Sequence, residues 1–151
     1  MEFTGFVAQT IQLALAPVFV LVAIGNIMNI MSTRLGRIVD RSRVLQERHA
    51  VTSGREHELI VHEIRLIDRR ISLIGRAILL LVISGLVIGF VVALLFVEEL
   101  IGVDLQLAAA AAFMVAIALL MWALTLFMRE TRQATDALRI PREYLEKRAD
   151  P

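Results

Sequence analysis

Four side-chain amides, Gln9, Gln12, Asn26 and Asn29, stand in a stretch that carries no charge from residue 3 to residue 33. On a helical wheel with Gln9 at zero, Gln12 falls at about 300°, Asn26 at about 260° and Asn29 at about 200°. Arg34, Arg37 and Arg41 continue that sector at about 340°, 280° and 320°, and Phe19 lies in it at about 280°. One face of this helix is therefore polar among apolar residues and basic beyond them. Amides surrounded by hydrocarbon are costly unless they meet water or another polar group. The functional expectation is a water-lined path built by several copies: Gln9, Gln12, Asn26 and Asn29 would line it, Phe19 would narrow it, and Arg34, Arg37 and Arg41 would form an inner vestibule. The plainer expectation is interhelical hydrogen bonding, within one protomer or between protomers.

A second constellation is Arg34-Leu35-Gly36-Arg37-Ile38-Val39-Asp40-Arg41-Ser42-Arg43, facing Leu66-Ile67-Asp68-Arg69-Arg70-Ile71. A hairpin turning near Ser53 would place Asp40 beside Arg65 and Arg69, and Asp68 beside Arg37 and Arg41. Reciprocal ion pairs of this kind would set the register of the two arms. They would add little stability, since exposed pairs contribute about 0–1 kcal/mol each. The alternative is pairing within one helix, such as Asp40 with Arg37 or Arg43. Glu98 and Glu99 would form an acidic outer mouth in an oligomer, or simply end a span in water. His49, His57 and His62 lack the i,i+4 spacing of metal ligands on one helix face, so no metal and no cofactor is expected. There is no nucleophile triad, no phosphate-binding glycine loop and no ionisable residue within the uncharged runs. The pattern argues against an enzyme and against a proton-coupled transporter.

The elements that would carry these residues follow from charge segregation. Of 151 residues, 58% are apolar and 21% are charged, with a mean hydropathy of +0.72. Residues 3–33, 77–97 and 105–128 are free of charge, in runs of 31, 21 and 24. About 20 residues cross a hydrocarbon core, so the chain is expected to be all-α, with three transmembrane helices. All 16 Lys and Arg fall in residues 32–76 and 129–151, whereas residues 1–5 and 98–104 carry only acids. Basic segments stay on the cytoplasmic side. The N-terminus and the 98–104 loop are therefore expected outside, and residues 34–76 and the 129–151 tail inside. Residues 32–76, with 10 basic and 6 acidic side chains, are too mixed for a nucleic-acid stripe. The expected partners are membrane lipid, further copies of the chain and an unidentified protein.

The segment between the first two runs reads as an antiparallel helical hairpin continuing both spans, with Thr52-Ser53-Gly54 as its turn. Ile60, Ile64, Ile67, Ile71, Ile74 and Ile78 form a heptad seam of the coiled-coil kind, and Leu35, Ile38, Ser42, Leu45 and His49 a poorer one. Gly85 and Gly89 have the G-x-x-x-G spacing that admits close helix approach in lipid, and the alanines at 108–112 suit the same purpose. The first run is too long for one perpendicular span. Pro17 is expected to kink it, or else to separate residues 4–16 as an interfacial or re-entrant helix. Ala14-Leu15-Ala16 mimics a cleavage site, but the absence of leading positive charge and the continuing apolar stretch favour a retained span. The third helix is expected to run to about Arg139, with Pro141 ending it.

The run Arg34 to Arg43 resembles a known family, as do Ala16-Pro17-Val18-Phe19, Arg69-Arg70-Ile71-Ser72-Leu73-Ile74, Phe127-Met128-Arg129-Glu130 and Ala137-Leu138-Arg139-Ile140. It is an uncharacterised family of small bacterial three-helix membrane proteins, domain of unknown function 2721. The resemblance implies an inner-membrane location and brings no activity and no catalytic residue. The leading expectation is a homo-oligomeric membrane protein conducting ions along its first helix. The alternative is a non-conducting scaffold or accessory subunit whose hairpin mediates assembly or partner binding.

Overall fold

The computed structural model describes the backbone of residues 2–137 and the side chains of residues 10–134. The chain forms three helices, α1 (Glu2–Val51), α2 (Arg55–Ile101) and α3 (Gln106–Ala137). At 1.5 Å per residue, α1 and α2 are each roughly 70–75 Å long, more than twice the thickness of a hydrocarbon core. Each of the three is long and apolar enough to cross a membrane.

The helices end where the sequence demands a different backbone. Gly54 adopts φ 69° and ψ −142°, a combination open to glycine, and turns the chain between α1 and α2. The Thr52 hydroxyl donates to the Arg48 carbonyl (2.9 Å) and satisfies one orphan acceptor at the end of α1. Gly102 takes the left-handed conformation at the end of α2, and its N–H donates to the Glu98 carbonyl (2.9 Å). The Asp104 carboxylate then accepts the Gln106 N–H (3.1 Å) and starts α3. The expected 98–104 loop is shorter than its charges suggest, because α2 continues through Glu98 and Glu99 to Ile101. α1 runs unbroken through Pro17, which is buried, so residues 4–16 do not form a separate helix. The expected stop at Pro141 lies outside the described residues.

α2 packs along both neighbours, whereas α1 and α3 meet only at isolated points. Burial follows a seven-residue rhythm through both the apolar and the polar halves. On α1 the buried line is Thr10, Pro17, Ile24, Met31, Ile38 and Leu45. On α2 it is Ile60, Ile67, Ile74, Leu81 and Ile88, with Ile64, Ile71 and Ile78 half-buried beside it. The isoleucine seam read from the sequence is thus the inner face of the α1–α2 pair. An added Cβ on Gly85 would stand 3.5 Å from the Leu21 side chain, which places that glycine against α1. Gly89 meets nothing within 4 Å, so the glycine pair is not one close interface.

α2 and α3 meet along a line of small residues. Ala109, Ala116, Ala123 and Glu130 are buried at seven-residue intervals on α3, opposite Val91, Ser84, Ala77 and Arg70 on α2. Two hydrogen bonds fix this register. Ser84 donates to the Ala116 carbonyl at 2.8 Å, and Arg70 donates to Glu130, fourteen residues away along each helix. Of the alanines at 108–112, only Ala109 is buried and Ala112 half-buried.

Candidate functional site

The densest polar constellation joins all three helices just beyond the apolar runs. Glu130 is fully buried, at 0% exposure, on the alanine line of α3. Its Oε1 accepts two hydrogen bonds from Arg70 of α2, from Nε at 3.1 Å and from Nη2 at 2.9 Å. Its Oε2 lies 3.3 Å from Nη2 of Arg34 on α1. Arg34 also donates through Nη1 to the Thr131 hydroxyl (3.1 Å), which in turn donates to the Phe127 carbonyl (3.0 Å). The Arg34 guanidinium sits 5.2 Å from the centre of the Phe127 ring, a cation–π distance. Two guanidinium groups with fixed planar donors therefore clamp one carboxylate. The side chains of Arg34 and Arg70 keep 31% and 24% of their exposure. One negative charge against two positive ones leaves the cluster with a surplus cation.

The expected vestibule is changed by this arrangement. Arg34 turns inward toward Glu130, Arg41 pairs with Glu63 (2.7 Å), and Arg37 alone of the three is exposed without an ion pair among the described residues. The expected reciprocal hairpin pairs do not form. Asp40 and Asp68 are both exposed, and neither makes an ion pair among the described residues. Arg65, Asp68 and Arg69 do line one groove with Ser42 and Gln46. The tie between the arms is the Arg41–Glu63 pair, both partners being about half exposed. The Arg41–Glu63 pair lies within two residues of the level that a turn near Ser53 would give, and Glu63 takes the arginine expected for Asp68.

On α1, Gln12, Asn26 and Asn29 are exposed, as is Phe19 at 68%. Gln12, Phe19 and Asn26 are one heptad apart. They sit two residues on from the buried line Thr10, Pro17 and Ile24, which is about 200° around the helix and so faces away from α2. The side chain of Gln9 lies outside the described residues. Glu98 and Glu99 are half-buried, and Glu99 accepts a hydrogen bond from Thr10 (3.3 Å). His49 and His57 meet across the turn with ring centres 4.2 Å apart, a contact that spacing along one helix cannot reveal. No group of three or more His, Asp or Glu with metal-holding geometry occurs among the described residues.

The sequence matches the family described as "Protein of unknown function (DUF2721)" over residues 14–140. The chain belongs to that family. No curated protein matches the chain, and no solved structure does. The matched region contains Arg34, Arg70 and Glu130 and leaves out Gln9 and Gln12. Three segments that carried the resemblance, around Arg34, Arg69–Arg70 and Phe127–Glu130, converge on this one clamp.

Glu130 and Arg70 stand within the motifs that carry the resemblance, but the sequence assigns neither of them a role in a site. Glu130 looked like one acid in a mixed, charged tail. The available signal was its position seven residues beyond Ala123, itself seven beyond Ala116, where a charge continues a small-residue line.

Proposed function

We propose that the protein is a homo-oligomeric membrane protein that conducts ions along a path lined by the outward face of α1. The observation that carries this reading is the position of Gln12, Asn26 and Asn29, exposed and turned away from α2 on the helix that crosses the apolar zone. In hydrocarbon these amides need water or another copy to satisfy them. A ring of α1 helices supplies both, with Phe19 as the apolar constriction and Arg37 at the inner end. Glu98 and Glu99 stand at the opposite end.

The charge split supports an orientation with the N-terminus outside and the hairpin and C-terminal tail in the cytoplasm, and the family resemblance implies a bacterial inner membrane. A tag at Ser53 should be inaccessible from outside intact cells and accessible after permeabilisation. For conduction, the test is flux from liposomes carrying the purified protein. Asn26→Leu should alter flux while the oligomer persists. A silent, correctly assembled oligomer overturns the channel reading.

A second reading, a non-conducting scaffold, is favoured by a different observation. Val44, Val51, Leu59 and Leu66 are exposed on the polar hairpin. Apolar side chains left in water there fit assembly or docking of a partner. Loss of the oligomer in Asn26→Leu, with no flux from the parent protein, would favour this second reading.

A further inference from the structure

We infer that the Arg34–Glu130–Arg70 clamp is a binding site for the phosphate of an anionic lipid headgroup. The inference rests on the helices spanning a membrane, and it is independent of conduction and of which face is cytoplasmic.

Three observations converge on it. The first is level. Arg34 follows directly on the run that ends at Thr33, Glu130 stands two residues past Met128, and Arg70 stands seven residues, roughly 10 Å, before Ala77. The clamp thus lies where headgroups border the hydrocarbon core.

The second is charge. Two arginines face one carboxylate, and further exposed arginines, Arg37, Arg69, Arg76 and Arg129, surround that level. The exposed hairpin acids Asp40 and Asp68 lie further from the apolar runs than Arg34 and Arg70 do.

The third is donor capacity. Two guanidinium groups carry ten N–H donors. Hydrogen bonds to Glu130 and Thr131 use three of them, and the Arg34 contact to Glu130 Oε2 is an ion pair without a hydrogen bond. Both side chains remain partly exposed, so the unused donors can reach a ligand at the surface. Arginine matches phosphate oxygens in pairs, and its weak hydration suits this boundary. Glu130 then has two effects: it holds the guanidinium groups in place, and it competes with the phosphate for them.

This competition gives the test its direction. The full chain, purified in neutral detergent, is titrated with phosphatidylglycerol or phosphatidylcholine, and bound lipid is counted by native mass spectrometry. Phosphatidylglycerol should bind at least tenfold more tightly than phosphatidylcholine. Arg70→Gln should weaken phosphatidylglycerol binding about tenfold, the effect of losing roughly one charge-assisted contact. Glu130→Gln should strengthen it several-fold, because the competing charge is gone while the side-chain shape remains. Arg55→Gln, at the hairpin turn, should leave it unchanged.

Equal binding of the two lipids by the parent protein overturns the proposal without any variant. So does a fall in binding for both Arg70→Gln and Glu130→Gln, since a clamp that only holds the helices together would respond that way. Displacement of the lipid by millimolar inorganic phosphate would assign the arginines to a soluble anion instead, and would also overturn it.

Discussion

Replacing Glu130 with alanine is the sharpest test of what holds α3 to the rest of the fold. The carboxylate is fully buried and receives two short hydrogen bonds from Arg70 and an ion pair from Arg34. Removing one partner of a buried ion pair costs about 3–5 kcal/mol, because the remaining charge is left uncompensated. Here the partners keep 31% and 24% of their exposure and can recover some hydration, which points to the lower end, about 3 kcal/mol. That corresponds to a shift of roughly two orders of magnitude in the unfolding equilibrium. Trp122 is the chain's one tryptophan and lies on α3, so its fluorescence during titration from mild detergent into SDS reports the transition. A second readout uses the lack of cysteine. A single Cys at Ala134, which is buried, should become rapidly alkylated when Glu130 is Ala and stay protected when it is Glu. Substituting all three residues with apolar side chains of similar size should recover most of the loss, as buried ion triads exchanged for packed hydrophobes often do. A Glu130→Ala shift below about 0.5 kcal/mol, the range typical of surface substitutions, would refute the account of the clamp as the junction of the three helices.

Two further outcomes follow from packing and exposure. Ala116→Leu should force α2 and α3 apart where Ser84 meets the Ala116 carbonyl and cost about 1–3 kcal/mol in the same titration, whereas Ala110→Leu, on the exposed side, should be neutral. A double-mutant cycle on Arg41 and Glu63 should give a coupling below about 1 kcal/mol, since both are half exposed, and Asp40→Arg should produce no defect for Arg65→Asp or Arg69→Asp to rescue.

What the sequence disclosed, it disclosed through periodicity and exclusion. Ile60, Ile67 and Ile74 repeat at an interval that one helix face can satisfy, and they are buried. The Thr52-Ser53-Gly54 turn stood out because nothing else between the charged arms breaks a helix, and Gly54 does carry the positive φ. The Asp40 and Asp68 pairings were beyond reach. A turn of known position fixes roughly which residues are level, yet Glu63 and Asp68 stand about 140° apart around α2, and which of them faces Arg41 is set by the rotation of the helix, which packing along the whole pair decides. Glu130 was missed for another reason. Its charge placed it with the tail, and charge outweighs phase when a residue stands just past an apolar run. Its partners lie sixty and ninety-six residues away in sequence, where no local pattern can show the contact.

The composition of the two seams argues that the clamp marks a change of solvent. Against α1, α2 presents large isoleucines both inside and beyond its apolar run. Against α3 it presents Val91, Ser84 and Ala77, and then Arg70, in lockstep with Ala109, Ala116, Ala123 and Glu130. In lipid, apolar side chains gain nothing from leaving their surroundings, so association depends on close backbone approach and on bonds such as Ser84 to the Ala116 carbonyl. In water, small side chains would bury too little area to hold a helix, whereas a large aliphatic seam is driven together. The small-residue line suits the first medium and would fail in the second. It gives way to an ion clamp at the level where the sequence passes from uncharged to charged, and beyond that level the isoleucine seam continues between α1 and α2. α3 is thus joined to α2 by backbone proximity along the apolar runs and to both other helices by charge where those runs end, with Glu130 at the point of exchange.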